Sequence, residues 1–179
     1  MTDSIRIAGI IRESIVDGKG LRFVVFGQGC PHRCRGCHNP QTHDFEGGRL
    51  VSIARLTEEI KKNPLLQGVT FSGGEPFAQT AAFAELAREV KALPGRLDLT
   101  VYSGYTYEEL QNLPGAKELL DLCDYLIDGP FLLEQRDITL KFRGSRNQRY
   151  IDLVRTRQLG RLVPAAESGV PARKRYQTA

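Results

Sequence analysis

The sequence predicts an α/β domain with a mostly parallel sheet, closed only into a partial, open barrel, and three observations carry that prediction. Short apolar runs of strand type alternate with amphipathic helical stretches along the chain. Glycine, proline and small polar residues punctuate the boundaries between them. The chain has 179 residues, whereas a complete eight-unit barrel takes about 250, so an open side remains.

The first two apolar runs, "IRIAGI" (5–10) and "LRFVVFG" (21–27), flank "VDGKG", whose glycines and Asp17 read as a turn between strands. After a cysteine-rich loop, "SIARLTEEIKKNP" places Ile53, Leu56 and Ile60 on one helical face, with Ser52 as cap and Pro64 beyond the end. "GVTFSGG" (68–74) is a short buried strand. "PFAQTAAFAELAREVKALPG" opens with Pro76, carries Phe83, Leu86, Ala87 and Val90 at helical spacing, and stops at Pro94 and Gly95. "RLDLTVYSG" (96–104) is the next strand, "YEELQNLPGAKELLDL" a short helical stretch, "CDYLIDG" (123–129) a further strand and "RYIDLV" (149–154) a last extended segment. Alternation of this kind implies right-handed crossovers between parallel strands.

Length and a 41% hydrophobic composition fit one core, read as a single domain over residues 1–163. Residues 164–179, "PAAESGVPARKRYQTA", are short of large apolar side chains, and a disordered basic tail is expected there. No apolar run approaches the roughly 20 residues of a membrane span, and "MTDSIRIAGI" lacks the order of a signal peptide. A cytoplasmic protein without a membrane partner is therefore expected. Charge is uneven: residues 1–140 hold fifteen Lys and Arg against nineteen Asp and Glu, whereas 141–161 hold seven (Lys141, Arg143, Arg146, Arg149, Arg155, Arg157, Arg161) against Asp152 alone. Such a segment suits an anionic ligand or an acidic partner, with nucleic acid as a variant; a solvated, salt-bridged face is the plainer account.

Cys30, Cys34 and Cys37 fall within eight positions of "GCPHRCRGCHNPQT". In a reducing compartment such clustering means metal or redox chemistry more often than a disulfide. Structural zinc takes four Cys or His ligands, so His32, His38 or His43 would have to complete the set. A dithiol built from "CRGC" has suitable spacing but leaves Cys30 without a task. Iron-sulfur clusters are held by thiolates, and a four-iron cubane on three cysteines leaves one iron open to another ligand. Cys123, alone in "LLDLCDYLIDG", reads as a small buried hydrophobe. The second constellation, "FSGGEP" (71–76), lies at a strand's carboxyl end, where parallel sheets bind ligands and glycines let backbone approach closely. Glu75 adds a carboxylate suited to an amine; alone, the stretch would be an ordinary strand-to-helix turn.

Together these stretches resemble the radical S-adenosylmethionine (SAM) enzymes, "CPHRCRGC" matching their CxxxCxxC motif and "SGGEP" their GGE-type motif. Within that superfamily the chain is similar to the glycyl-radical enzyme activases, most of all to the branch that serves anaerobic ribonucleotide reductase. The likeness extends to "GLRFVVFGQGC", "CHNPQT", "VYSGYTYEEL", "LIDGPFLLEQRD" and "FRGSRNQRYIDL", covering roughly Asp17 to Leu153. Gly36 stands where many superfamily members have an aromatic residue, and Lys19 where this branch often has proline; neither change removes a ligand. Pyruvate formate-lyase type activases are the neighbouring alternative, and a zinc-stabilised nucleic-acid-binding module is the alternative of a different class.

The resemblance implies a partial barrel of the radical SAM type, with Cys30, Cys34 and Cys37 holding a [4Fe-4S] cluster whose open iron chelates SAM. It implies that Gly73, Gly74 and Glu75 fix the amino group, with Ser72 also binding the cofactor, and that reductive cleavage yields a 5'-deoxyadenosyl radical that abstracts hydrogen from a glycine. Tyr102, Ser103 and Gly104 would support the cofactor, Tyr102 being equally readable as a packed aromatic. Asp128 would touch the ribose or a cation, with capping of a turn as the alternative. Arg143 or Arg146 would orient the cofactor carboxylate or the incoming loop, a surface ion pair being the plainer account. The implied partners are the glycyl-radical subunit of anaerobic ribonucleotide reductase and a one-electron donor such as flavodoxin or ferredoxin; nucleic acid is not expected.

Overall fold

A seven-stranded mixed sheet organises the chain, with strand order β3-β1-β2-β4-β5-β6-β7. The computed structural model describes residues 2–167. The strands are β1 (Ser4–Ser14), β2 (Arg22–Gly27), β3 (Arg49–Ser52), β4 (Gly68–Gly73), β5 (Asp98–Tyr102), β6 (Tyr125–Asp128) and β7 (Arg149–Asp152). The helices are α1 (Ile53–Lys61), α2 (Thr80–Ala92), α3 (Tyr107–Asn112), α4 (Ala116–Leu122) and α5 (Leu153–Leu159). Local signals work as read: the Ser52 side chain accepts from Arg55 N–H, and Ile53, Leu56 and Ile60 are buried. Thr106 and Glu109 form a reciprocal capping box at the start of α3.

The mostly parallel sheet needs correcting. β2, β4, β5 and β6 run parallel, but β1 is antiparallel to both β2 and β3, and β7 is antiparallel to β6. Connection length explains this. A parallel neighbour requires a crossover the length of the sheet, which α2 supplies between β4 and β5. Chain 129–148 instead stays at the end where β6 finishes, so β7 must return downward, pairing Asp128 with Arg149 and Tyr125 with Asp152. β3, which has no strong apolar run to announce it, is added at the edge by pairing with Ser4–Ile7 of β1.

Strand alternation sorts the residues into two layers. Phe23, Val25, Val69, Phe71, Leu99, Val101 and Leu126 join Leu86, Val90 and Leu119 of the helices in the main core. The opposite face carries Ile127 and Tyr150, packed with Tyr102, Tyr125, Phe142 and Ala165. Pro164, inside the stretch expected as a tail, bridges Ile151, and Ala165 N–H donates to Tyr150 O at 2.9 Å, which ties these two residues to the edge of β7. The rest of the expected tail, 168–179, lies outside the described residues. Among the described residues, no helix is long and apolar enough to cross a membrane.

Candidate iron-sulfur and cofactor site

The site is built where β2 and β4 end side by side. Their parallel pairing runs through Gly27 and Gly73 and then continues past the strands, with Gly74 N–H donating to Gly27 O and Glu75 N–H to Gly29 O, both at 2.8 Å. This clamps the glycine turn against the start of the cysteine loop. Gly73 has φ +94, and a Cβ there would lie 2.7 Å from the Gly27 backbone; a Cβ on Gly74 would collide with Gly29 O. Only glycine lets the two loops come this close.

The cysteine loop closes on itself. Gly29 N–H donates to Thr42 O (2.8 Å) and Cys30 N–H to His43 O (3.2 Å), while Cys37 N–H bonds Cys34 O (3.1 Å) across a tight turn. The buried Gln28 amide laces the far side, donating to Gln41 O and Asp44 O. Gly36 adopts φ +75, and Leu133 and Phe131 fill the space beside it, so an aromatic residue there has neither the backbone nor the room. Cys30 is buried, Cys34 and Cys37 are half-buried, and all three are free thiols. Burial pushes the Cys30 thiol above its ordinary range, so a metal must displace its proton on binding.

A cavity of about 820 Å³ joins these parts. Cys30, Cys34 and Cys37 line it together with Ser72, Gly73, Gly74, Tyr102, Ser103 and Gly104. Glu75 and Asp128 are not on that wall. The Glu75 carboxylate is 1% exposed and its oxygens accept from Phe77 N–H (3.0 Å), Ser103 Oγ (3.1 Å), Gly104 N–H (2.9 Å) and, at 2.6 Å, bond His32 Nε2. In this structure it faces these donors and ties the cysteine loop, the glycine turn and the end of β5 into one node. Asp128 is buried and accepts from Tyr107 N–H, at the start of α3, at 2.7 Å and from Arg149 Nε at 3.0 Å. Tyr102 is both wall and packed aromatic: its hydroxyl donates to Phe142 O at 2.7 Å, and burial raises its phenol.

Sequence reasoning did not find the far wall, formed by Phe131, Leu140, Phe142, Gly144 and Gln148. It singled out "FRGSRNQR" for its charge and for the family likeness, not as a wall, and much of that charge is paired within the chain. Arg149 pairs with Asp128 and Glu108; Arg143 pairs with Glu167 and bonds Gln148 O. Arg157 donates to Leu120 O and Cys123 O at the end of α4. Arg146 stays largely exposed, 3.9 Å from Asp137. Cys123 is fully buried, with its thiol raised by burial, as a core residue should be.

Residues 16–151 match the family model described as a 4Fe-4S single cluster domain. The chain belongs to that family. Anaerobic ribonucleoside-triphosphate reductase-activating proteins are similar along most of their length: that of Vibrio cholerae is 34% identical over 140 residues, 75% of this chain and 89% of the relative. Those of Escherichia coli K12 (32% over 141 residues, 75% and 90%) and of Enterobacteria phage T4 (33% over 141 residues, 75% and 85%) match comparably. The donor set of this 4Fe-4S family member fits its cofactor. Three unbridged thiols share one cavity wall, and thiolates are the ligands that hold the irons of a [4Fe-4S] cluster.

Proposed function

We propose that this chain activates an anaerobic ribonucleoside-triphosphate reductase by installing a glycyl radical on it, using SAM and a [4Fe-4S] cluster held by Cys30, Cys34 and Cys37. One observation carries the reading: the three thiols and the Ser72–Gly74 backbone face the same cavity, locked together by the Gly74-to-Gly27 and Glu75-to-Gly29 hydrogen bonds. Similarity to named reductase activators supplies the substrate. When bound, the cluster and SAM supply reductive cleavage of a sulfonium bond and, through it, hydrogen abstraction from a glycine Cα–H.

The chain's own contribution is position and shelter. Gly73 and Gly74 present backbone to the methionyl end of SAM, while Ser72, Tyr102 and Ser103 shape the wall beside it. Glu75 acts from behind that wall, holding His32, Ser103 and Gly104 in register and placing a negative charge near the ammonium. The sheet is the partial barrel of a radical SAM domain, one unit over about residues 1–163 plus the segment bound to β7, and its open side admits a polypeptide loop. Phe131, Leu140 and Phe142 on one side and Ile15 and Val16 on the other give that opening an apolar rim, which excludes water from the reacting centre. Exposed Arg146, Arg155 and Arg161 favour an acidic face of the reductase. The protein works in the cytoplasm with flavodoxin or ferredoxin as one-electron donor.

The test mixes anaerobically loaded protein with the reductase, SAM and reductant and records the electron paramagnetic resonance spectrum. A glycyl doublet on the reductase is expected. 5'-Deoxyadenosine without a doublet would reject this substrate, and colourless protein carrying zinc would reject the chemistry.

A further inference from the structure

The cysteine loop carries three histidines, and the fold treats them differently. His32 is bonded through Nε2 to Glu75 and sits edge-on to Tyr105, ring centroids 4.4 Å apart. His38 packs against Phe131, centroids 5.1 Å apart. His43 lines the cavity with Cys30, Cys34 and Cys37, yet its Nε2 is buried without a hydrogen-bond partner among the described residues. A buried nitrogen left this way is destabilising, and such exceptions call for a missing partner.

Its backbone holds it in place beside a ligand. Cys30 N–H donates to His43 O, and Gly29 N–H to Thr42 O. Thr42 is itself buried, with Oγ1 donating to Asn39 O at 2.7 Å, and Gln28 grips Asp44 O at 2.6 Å. The imidazole thus lines the cavity that the three thiols also line, from the turn that follows Pro40–Thr42, with its own carbonyl bonded to Cys30.

We propose that His43 donates a hydrogen bond from Nε2 to the cluster or to one of its cysteine sulfurs, raising the reduction potential of the cluster. This rests on the reading that Cys30, Cys34 and Cys37 hold a [4Fe-4S] cluster. The physical reason is charge. Reduction adds an electron to the cluster, and a donor aimed at sulfur stabilises the more negative state. A neutral imidazole with its proton on Nε2 suffices, because donation needs no net charge. His43 would then set how strong a reductant the protein requires.

The experiment compares wild type with His43→Phe, which keeps a ring and removes the donor, and with His43→Gln, which keeps a side-chain N–H. Each is loaded anaerobically, assayed for iron and sulfide, and titrated electrochemically without SAM while the reduced cluster is followed by paramagnetic resonance. Full cluster content is expected in all three, with the His43→Phe midpoint more negative than wild type and the His43→Gln midpoint between them. An unshifted midpoint in His43→Phe overturns the proposal. Loss of the cluster from folded His43→Phe also overturns it, since that would make His43 a ligand; His43→Leu replaces this variant if it does not fold. Wild type that holds no cubane would instead refute the underlying cluster reading.

Discussion

The parallel strands bury charge at both of their ends, and the two ends use it differently. At the amino ends, Arg22 is completely buried and donates to Thr70 Oγ1 (2.6 Å), Lys19 O (2.8 Å) and Val69 O (2.9 Å), with the Asp98 carboxylate 2.7 Å away. Burial raises the Asp98 carboxyl even against that guanidinium. At the carboxyl ends, Glu75 is just as completely met by its donors. A buried charge by itself therefore does not mark a site. What distinguishes the carboxyl ends is the surroundings of the charge: beside Glu75 the same frame also holds three free thiols, two glycines and an imidazole whose Nε2 has no partner among the described residues, all lining one cavity. The Arg22 end has compensated charge only, which makes it a plug.

Removing a thiol tests the difference most severely. Cys34→Ala should abolish the intact cubane after anaerobic reconstitution, while Cys123→Ala keeps it; a full complement of iron and sulfide in Cys34→Ala would refute the ligand set. Next in size, Arg22→Met strands several buried acceptors and Asp98, and should lower unfolding stability by about 3–5 kcal/mol. Chemical denaturation of the apoprotein measures this, and cluster content per folded molecule should not change, because Arg22 bonds none of the three cysteines. Gly74→Ala forces a methyl against Gly29 O and should destabilise by about 1–3 kcal/mol. Unlike Arg22→Met, it should also impair SAM binding, seen by titration calorimetry on the loaded protein.

Smaller effects sharpen the comparison. Glu75→Gln turns an amide N–H₂ toward groups that are themselves donors, so a loss of about 1–3 kcal/mol is expected, together with weaker SAM affinity and an intact cluster. Unchanged affinity would confine Glu75 to folding. Arg146→Glu should move stability by no more than about 0.5 kcal/mol while weakening salt-sensitive association with the reductase; unaltered binding at low salt would remove the docking role.

What the sequence determined on its own is whatever depends on neighbours along the chain. The three thiols lie within eight residues, "SGGEP" follows directly on its strand, and Ser52, Thr106 and Glu109 cap helices through bonds spanning three residues. Such patterns are legible because their geometry is set by local backbone period. Tertiary structure decided everything that needs a distant partner. His32 meets Glu75 across 43 positions, and Arg149 meets Glu108 across 41. Those contacts hold the Glu75 carboxylate in the frame behind the cavity wall and pair Arg149 within the chain. The direction of β7 was likewise set by the path of chain 129–148, and the isolation of His43 Nε2 by what the folded loop fails to bring near it. Whether a side chain is satisfied or left open depends on where other segments come to lie, and only folding makes that choice.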